Sequence, residues 1–287
     1  MCVDSNNDEK DVRKLLKQHS GGFLFGSLSS IYHENTKRFH LGADDGVNER
    51  RGRVHMYDLA VKVINFKEYP RFNQIKLSTS FKAKHVINLG WTPTSELGAT
   101  AISLDTLSEL LYYAAGLRGQ GTASYRPYYS IGSRYPLEIY PIILKGLDVE
   151  AGIYHYNVKR HTLELLERGD FTAQLAECVE APEDIGNACL IILVTAVFNR
   201  SELLFGDRGY RYVLLEAGYL AQNFFITAAS LGLTCLFINE FIDDALNTLL
   251  DLDGVQESVV DVLVLGGKKA GMFNSLRGIL GTRGKGD

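Results

Sequence analysis

The chain has 287 residues, 46% of them hydrophobic and 22% charged, which is the composition of an ordinary globular protein with a sizeable core. Lys and Arg number 30 against 34 Asp and Glu, and the net charge of −4 excludes a nucleic-acid binder that works through its overall field. The four cysteines form no C-x-x-C pair, so the sequence predicts neither a zinc knuckle nor a disulfide framework and favours a reducing, cytoplasmic compartment.

Residues 1–75 differ in composition from the rest of the chain. Two basic, polar runs, 35–40 and 48–55, indicate an appended and partly helical N-terminal arm whose charges face solvent or meet an acidic partner. Residues 1–14 contain no apolar run, so no signal peptide is expected. The longest apolar-leaning stretch, 219–238, is interrupted by polar residues and predicts a buried helix running into a strand instead of a membrane span.

A helix is predicted at 102–117, because apolar residues recur there on one helical face. Ser103 is its expected N-cap, and Gly116 suits its end. A loop rich in Gly and Tyr follows over 116–133 and leads into the first strongly apolar strand.

The middle of the chain predicts three strands. The apolar run 137–144 indicates a strand in which Pro141 suggests a sheet edge or a bulge. Two further strands, 152–156 and 162–166, flank a basic turn at 159–161 and predict a hairpin.

The second half of the chain predicts buried strands around one long helix. The continuous β-branched run 190–198 favours a strand buried on both faces, and the runs 233–238 and 259–265 favour two more. The almost entirely apolar stretch 210–231 predicts a core helix, and 243–250 predicts an amphipathic one. A helix that is apolar on all faces must be buried on all faces. The long helix therefore also indicates a subunit interface.

The order of these elements predicts an α+β fold with one mostly antiparallel sheet and a long buried helix. We expect the main domain to cover residues 76–277, after the arm of residues 1–75. Residues 278–287 are rich in Gly and basic side chains and predict a flexible tail.

The loop at 125–138 is the first candidate ligand site. Small residues such as Ser130 and Gly132 let backbone amides come close to a flat polar ligand. The tyrosine rings of the loop can pack against the faces of such a ligand. Loops of Gly, Ser and Tyr are also common where no ligand binds.

A second candidate is the segment 206–212, where Arg208 and Arg211 lie next to glycine at a helix start. Such an arrangement suits an anion or a carboxylate. Alternatively, the arginines pair with nearby acids, since Glu216 lies on a helix too apolar to leave its charge without a partner. In that case we expect Arg211 or Arg208 to be the partner of Glu216.

The third candidate is the run of Gly266, Gly267 and Lys268 at the end of a predicted strand. Two glycines and a lysine can hold a phosphate through backbone amides and an ammonium group, although the same pattern is frequent in surface turns. Lys82 and Lys84 are open to the same two interpretations.

No spacing of acids, histidines or nucleophiles predicts hydrolytic chemistry or a metal site. The chain has no G-x-G-x-x-G that follows a strand and opens a helix, which argues against a dinucleotide site. The histidines lie in basic or loop contexts and are expected at the surface, at positions 19, 33, 40, 55, 85, 155 and 161.

Three ordered strings, at 126–140, 152–170 and 206–225, resemble the SagB-type branch of the nitroreductase superfamily. The third string is long and specific, with RGYR followed by LLEAG and LAQN. Proteins of this branch are FMN-dependent dehydrogenases of azole-forming peptide synthetases. The resemblance covers roughly residues 100–266.

The resemblance implies a nitroreductase-like, dimer-forming flavoprotein that binds FMN at the interface of a homodimer. Its reaction would oxidise thiazoline or oxazoline rings of a modified precursor peptide to azoles, alongside the cyclodehydratase subunits of an azole synthetase. This chemistry needs a base for the proton on the ring Cα and a flavin that accepts hydride from Cβ.

The resemblance also implies which residues meet the cofactor. Ser130, Ile131 and Gly132 would lie along the isoalloxazine ring, and Arg126 would reach the flavin or its phosphate. The remaining cofactor-binding candidates are the turn of Gly266, Gly267 and Lys268, expected near the phosphate, and the arginines Arg208 and Arg211.

Leu204 and Phe205 stand where members of this branch commonly carry a Lys-Tyr pair linked to proton transfer. Neither side chain has a group that can act as an acid or a base. An active enzyme would therefore need a base elsewhere, with Tyr210 the first candidate and Tyr128 the second.

Two further departures concern the cofactor. The arginine-rich phosphate segment usual in nitroreductases is absent, with Ser78, Lys82 and Lys84 in that region, and Asn239-Glu240 replaces an expected Gly-Gly. Two alternative functions stay open. One is a catalytically silent subunit that completes or scaffolds a partner enzyme, and the other is an FMN enzyme that reduces dehydroamino acids.

Overall fold

The computed structural model describes residue 32 and residues 66–78, 97–119, 121, 124–179 and 182–268. Apart from Tyr32, these residues all belong to one unit of the chain, residues 53–287. Most of the predicted N-terminal arm and the whole predicted tail, 278–287, lie outside the described residues, as do Lys82 and Lys84.

The described residues contain eight strands, which are β1 (Gln74–Lys76), β2 (Leu97–Gly98), β3 (Leu137–Ile143), β4 (Gly152–Asn157), β5 (Thr162–Arg168), β6 (Leu190–Val197), β7 (Thr234–Ile238) and β8 (Glu257–Lys268). They form one sheet in the order β1-β5-β4-β3-β6-β8-β2, and β7 also pairs with β8. All of these strand pairs are antiparallel, which confirms the predicted sheet.

The centre of the sheet consists of β3, β6 and β8. All seven residues of β3 and the first seven of β6 are buried, because both strands are nearly continuous apolar runs that are covered on both faces. The strand β8 is longer than the predicted 259–265, since it pairs along its length with β6, β7 and β2. The predicted hairpin is present as β4 and β5.

Pro141 lies in an interior strand, so the suggested sheet edge is wrong. The strand β3 pairs along its whole length with β6, whereas its ladder with β4 includes only Ile142 and Ile143. Pro141 lies just outside that short ladder, so its missing N–H removes no hydrogen bond between β3 and β4. The nearby irregularity is in the hairpin, where the β4–β5 register shifts between Ile153 and Tyr154.

Six α-helices are found among the described residues, and they are α1 (Leu104–Ala115), α2 (Thr172–Glu177), α3 (Pro182–Asn187), α4 (Asn199–Phe205), α5 (Arg208–Ser230) and α6 (Asp243–Leu249). The helices α1 and α5 pack on one face of the sheet, where they meet alternate side chains of β6 such as Ile192 and Val194. The helices α2, α3 and α6 cover the other face and meet Ile191 and Leu193. The core therefore has two layers, one on each side of the sheet.

The ends of α1 confirm the two signals that the sequence carries for this helix. The Thr106 N–H donates a hydrogen bond to Ser103 Oγ at 3.2 Å, which caps the N-terminus. At the other end, the Gly116 N–H donates to the Tyr112 carbonyl at 2.9 Å. The loop rich in Gly and Tyr begins at this residue and leads into β3.

The long helix α5 is buried on one face only within a single chain. Its inner face includes Val213, Leu220 and Phe224, each fully buried against the sheet and α1. Its outer face carries large apolar side chains that are 38–47% exposed, namely Tyr210, Leu214, Leu215 and Tyr219. The inner face confirms a core helix, and the outer face leaves apolar surface uncovered.

The last residues of the predicted arm continue into the sheet. The strand β1 crosses the expected boundary between residues 75 and 76 and pairs with β5 at the sheet edge. The boundaries of the arm and of the main domain stay predictions. Among the described residues, no helix has the length and apolar character needed to cross a membrane.

Candidate functional site

The turn at residues 130–133 is the centre of the candidate site. Ile131–Ser133 form one short 3-10 turn, and Gly132 has φ +69°, a conformation that favours glycine. A Cβ at Gly132 would lie 2.9 Å from the Phe205 ring and 3.2 Å from Leu204. The structure therefore brings the predicted flavin loop against the two residues that replace the Lys-Tyr pair.

A buried carboxyl group holds this turn from inside. Glu216, on α5, is 1% exposed and accepts hydrogen bonds from the Ser130 hydroxyl and the Ile131 N–H. Ser130 Oγ in turn accepts from the Tyr135 N–H at 2.8 Å. Burial raises the pKa of Glu216 to about 8, against the opposing effects of Ser130, Arg126 and Ile131. The carboxyl group is therefore largely neutral at pH 7.

The predicted partners of Glu216 are wrong. Helix geometry places Arg211 about 140° around α5 from Glu216, and it places Arg208 about 12 Å away along the axis. Arg208 Nε instead donates to Tyr212 Oη at 2.7 Å, one turn further along the same face. The cation that acts on Glu216 is Arg126, which comes from the loop before β3.

Arg126 is part of the frame of the loop. It is 2% exposed, and its Nη1 donates to Tyr128 Oη and to the Leu137 carbonyl, both at 3.1 Å. Its guanidinium also lies 5.0 Å from the centre of the Tyr135 ring. These contacts lock Arg126 in place beneath the turn, and its predicted contact with a flavin stays a prediction.

The two candidate bases lie in different surroundings. Tyr128 is buried in the core, and burial raises the pKa of its phenol against the opposing effect of Arg126, which donates to its oxygen. The raised pKa disfavours Tyr128 as a base. Tyr210 lies in the first turn of α5, is 38% exposed and stacks on Phe198 with ring centres 5.4 Å apart. Tyr210 is therefore the better placed of the two predicted bases.

The junction of α4 and α5 is tightly packed against the turn. A Cβ at Gly209 would meet the backbone of Glu202 at 2.7 Å, and Ser201 Oγ donates to the Gly209 carbonyl at 3.3 Å. The Phe205 ring meets the Tyr212 ring edge-on, with centres 5.0 Å apart. This packing fixes Leu204 and Phe205 beside Gly132 and leaves Arg208 and Arg211 at the start of α5.

The segment of Gly266, Gly267 and Lys268 is strand and not the predicted turn. Gly267 pairs with Gly98, and Lys268 pairs with Leu97, so these residues form the β2–β8 ladder. A Cβ at either glycine would approach the Gly98 carbonyl to 3.1–3.2 Å, which is why small residues suit this pairing. The two-residue strand β2 carries too little pattern for this pairing to be predicted from sequence. The Lys268 side chain remains exposed at the strand end.

The other positions that depart from the family lie partly outside the described residues. Ser78 is described, and its carbonyl accepts from Ser108 Oγ at 2.7 Å and from His161 Nε2 at 3.0 Å. Residues 79–96, which include Lys82 and Lys84, are not among the described residues. Asn239 and Glu240 follow β7 and are exposed.

A buried charge cluster lies on the opposite face of β3 and was missed by sequence reasoning. His155 is fully buried between two carboxylates, with Nδ1 2.8 Å from Glu164 and Nε2 3.2 Å from Glu138. Arg200, on α4, donates to Glu138 at 2.5 Å and to the Tyr135 carbonyl at 3.1 Å. The cluster thus ties α4, which carries Leu204 and Phe205, to the central sheet and to the loop.

The charged groups of this cluster shift one another's pKa values. Burial alone lowers the pKa of His155, but its hydrogen bonds to Glu138 and Glu164 outweigh burial and raise it. Burial alone raises the pKa of Glu138, but Arg200 and His155 hold it at about 2. Polar residues inside apolar strands are the signal that could have predicted the cluster, because a buried charge needs a partner.

The expectation of surface histidines is wrong at two positions. His155 and His161 are both buried, and His161 contacts Tyr156 Oη at 2.7 Å and Ser108 Oγ at 3.1 Å. His155 lies within β4 between Tyr154 and Tyr156, and His161 lies in the turn before β5, where its contacts place it in the core. The other histidines, at positions 19, 33, 40, 55 and 85, lie outside the described residues.

The segment before β1 covers a second polar group on the same face of the sheet. Lys67 Nζ lies 2.6 Å from Glu257 and donates to Tyr140 Oη at 2.5 Å. Tyr69 Oη is 3.1 Å from Tyr140 Oη, and Thr195 Oγ1 donates to Glu257 at 2.7 Å. These contacts attach the last part of the predicted arm to the central strands.

The residues of the turn fit a flavin in two respects. Gly132 and Ser133 expose backbone without a bulky side chain, and the neighbouring Tyr129 ring is 67% exposed and can wall a flat ring system. In addition, Glu216 Oε1 is buried and has no hydrogen-bond partner among the described residues. Such an atom beneath an exposed polar turn is typical of a binding site and not of a well-satisfied core.

The nitroreductase-like architecture is matched by comparisons with known proteins. Residues 95–267, more than half of the chain, match the Nitroreductase family. A nitroreductase-like protein of Methanocaldococcus jannaschii, MJ1384, is 31% identical over 157 residues, which cover 55% of this chain and 78% of that protein.

Two proteins named as processing proteins are also similar. The trifolitoxin-processing protein TfxB of Rhizobium leguminosarum bv. trifolii is 27% identical over 57% of this chain and 47% of its own length. The microcin B17-processing protein McbC of Escherichia coli is 25% identical over 57% of this chain and 61% of its own length. The matched region thus spans less than two thirds of either processing protein.

Solved structures with the same fold complete the comparison. A nitroreductase-like protein from Anabaena variabilis matches with a TM-score of 0.65 and 28% identity, over 84% of this chain and 46% of that chain. A chain of the Escherichia coli microcin synthetase McbBCD complex with truncated pro-MccB17 bound matches in fold with a TM-score of 0.55, over 91% of this chain and 94% of that chain, at 21% identity. Together with the motifs at 126–140 and 206–225, these matches identify the chain as a member of the nitroreductase family.

Proposed function

We propose that this protein is an FMN-dependent oxidoreductase that oxidises thiazoline or oxazoline rings of a modified precursor peptide to azoles. The observation that carries the proposal is the contact of the Gly132 turn with Leu204 and Phe205, the positions that the resemblance assigns to the flavin and to proton transfer. Two further findings support the proposal. The chain belongs to the nitroreductase family, whose members are typically oxidoreductases, and it is similar to the processing proteins TfxB and McbC.

When bound, FMN would supply the hydride acceptor for this reaction. The residues that would hold it are Ser130, Ile131 and Gly132 beside the ring. The exposed ring of Tyr129 would shield one face from water, and Leu204 with Phe205 would form an apolar wall.

The same reaction needs a group that removes a proton from the ring Cα of the peptide. Tyr210 is our candidate, because its side chain is exposed at the start of α5 on the segment that follows Leu204 and Phe205. Aromatisation favours the oxidised product, so a correctly placed weak base is sufficient.

We also propose that the functional unit is a homodimer joined through the outer face of α5. The exposed side chains of Tyr210, Leu214, Leu215 and Tyr219 support this proposal, because large apolar side chains exposed on one side of a helix are typical of a protein–protein interface. The proposed partners beyond the second copy are a modified precursor peptide and the cyclodehydratase subunits of an azole synthetase. Their support is the likeness to McbC and to the McbBCD complex.

A catalytically silent subunit is the second candidate function. It is favoured by the fact that both side chains at the proton-transfer positions, Leu204 and Phe205, are apolar and pack directly on the turn. Such a chain would complete the site of a partner enzyme or scaffold a complex.

To test the proposal, the FMN-loaded protein is incubated with an azoline-containing peptide and oxygen, and the mass of the peptide is measured. Loss of two hydrogen atoms per ring supports the proposed dehydrogenase. No turnover by a flavin-loaded homodimer favours the silent subunit. Oxidation of NAD(P)H that depends on a dehydroamino acid would identify the reductase alternative instead.

A further inference from the structure

The buried carboxyl group of Glu216, the one acidic residue of α5, contacts the candidate turn. It accepts hydrogen bonds from the Ser130 hydroxyl and the Ile131 N–H, and Ser130 Oγ accepts from the Tyr135 N–H at 2.8 Å. Glu216 therefore holds the start of the turn, and the Ser130 hydroxyl links it to Tyr135 at the end. Moving that group would move the backbone of the turn.

The surroundings of Glu216 contain one cation and one phenol. Arg126 and Tyr128 act on it from the loop before β3, and Arg126 is itself shared with Glu138 on that strand. One carboxyl oxygen, Oε1, is buried and has no hydrogen-bond partner among the described residues. A full negative charge on such an oxygen is costly, because the oxygen is shielded from bulk solvent and no donor of the described residues reaches it.

We propose that Glu216 is the positioning residue of the cofactor-binding turn, and that its uncharged carboxyl group holds Ser130 and Ile131 in the shape that meets the flavin. The inference rests on the proposed FMN site. Glu216 acts through the turn and needs no contact with the substrate. Its neutrality keeps a negative charge away from a ring that must accept hydride and from a phosphate that is itself anionic.

The direct test is FMN binding by three variants, followed by flavin fluorescence. Glu216→Gln keeps an acceptor for both donors and stays neutral, so we expect FMN affinity within about threefold of the wild type at pH 7. Glu216→Leu has a similar volume but no acceptor, so we expect affinity to fall by about tenfold or more. Glu202→Gln, an exposed carboxylate on α4, is the matched control and should bind like the wild type.

The pH profile separates positioning from mere packing. Wild-type affinity should fall as the pH rises through about 8, because Glu216 then becomes charged. The profile of Glu216→Gln should lack that fall. A purely structural role would leave the two profiles parallel.

Two readouts need no cofactor. Hydrogen exchange of the Ile131 amide should be faster in Glu216→Leu than in Glu216→Gln, because only the latter retains the acceptor. The raised pKa of Glu216 also means that the native state binds more protons than the unfolded state between about pH 4.5 and 8. The unfolding free energy of the wild type should therefore fall over that interval relative to that of Glu216→Gln.

The outcomes are distinguishable. The inference is overturned if Glu216→Leu binds FMN as tightly as the wild type, if Glu216→Gln keeps the wild-type pH profile, or if Ile131 exchange is the same in both variants. If no protein, wild type included, binds FMN, the proposed function fails. Exchange and unfolding would then decide on their own whether Glu216 holds the turn.

Discussion

At the scale of single residues, the candidate site depends on Gly132. Its φ of +69° lies in the left-handed region, and the Phe205 ring occupies the space in which any side chain would begin. Both facts disfavour other residues at this position. The turn can therefore expose its backbone while it packs on α4.

Substitution of this glycine should destabilise the protein. We expect Gly132→Ala to lower the free energy of unfolding by about 1–3 kcal/mol, since it adds backbone strain and a contact with Phe205. Urea denaturation followed by circular dichroism measures the change. Gly232→Ala is the control, because Gly232 has a similar φ of +79° but nothing lies within 4 Å of its missing Cβ, so its cost should be the strain alone.

Leu204 and Phe205 give a second prediction at this scale. If the site is otherwise intact, Leu204→Lys with Phe205→Tyr should raise azole formation by about tenfold or more, because it restores an acid–base pair next to Gly132. The rate is measured by mass spectrometry of the peptide. Leu203→Lys, at an exposed neighbour on α4, should leave the rate unchanged. No gain in the double variant would show that the pocket around the pair has diverged as well.

At the scale of elements, the helix α4 is held by a buried ion pair and not only by apolar packing. Arg200 bonds Glu138 in β3, and Glu138 bonds His155 in β4, so three elements share one charge cluster. Removal of one partner leaves the others charged in a medium that does not solvate them. The position of Leu204 and Phe205 therefore depends on charges on the far side of the sheet.

Arg200→Met should be severely destabilising. We expect a loss of about 3–5 kcal/mol in the free energy of unfolding, because Glu138 then stays buried without its arginine partner. Adding Glu138→Gln to Arg200→Met should recover part of the loss, and urea denaturation measures both. Equal stability of the single and double variants would contradict the coupling.

The same cluster predicts an acid-sensitive stability. The pKa of Glu138 is held at about 2, below its value of 4.5 in an unfolded chain, so its contribution is present above about pH 4.5 and is lost as the pH falls towards 2. We expect the free energy of unfolding of the wild type to fall over this interval, and to fall less in Glu138→Gln. Glu202→Gln should follow the wild type, and a parallel fall in all three proteins would refute the assignment.

Sequence patterns were sufficient for the long elements and insufficient for the short ones. The apolar runs of β3 and β6 and the capped helix α1 were predicted, because each carries its signal within one segment. The two-residue strand β2 is defined only by its ladder with β8, and two residues carry no recognisable strand pattern. For this reason Gly266 and Gly267 were predicted as a turn. The partner of Glu216 was missed for a similar reason, since Arg126 comes from a different element.

At the scale of the whole molecule, the outer face of α5 is an apolar surface that a single chain leaves uncovered among the described residues. Four large apolar side chains on this helix remain 38–47% exposed, while the opposite face is buried. A second copy of the chain would cover them and would bring two candidate turns near one interface. A substitution that prevents dimer formation is therefore expected to weaken FMN binding as well.

Leu214→Arg tests this link. The charge should prevent burial of the α5 face, so we expect a monomer by light scattering coupled to size-exclusion chromatography, with FMN affinity reduced by about tenfold or more. Val255→Arg, at a still more exposed apolar residue outside α5, should change neither property. A variant that is monomeric but binds FMN normally would show that the site is complete within one chain.

The turn at residues 130–133 is proposed to bind a flavin. Titration of the purified, cofactor-free protein with FMN, monitored by visible absorbance and flavin fluorescence, measures this binding. We predict saturable binding with a perturbed flavin spectrum, weakened by Glu216→Leu and by Gly132→Ala. A spectrum that stays identical to free FMN at all protein concentrations would contradict the claim.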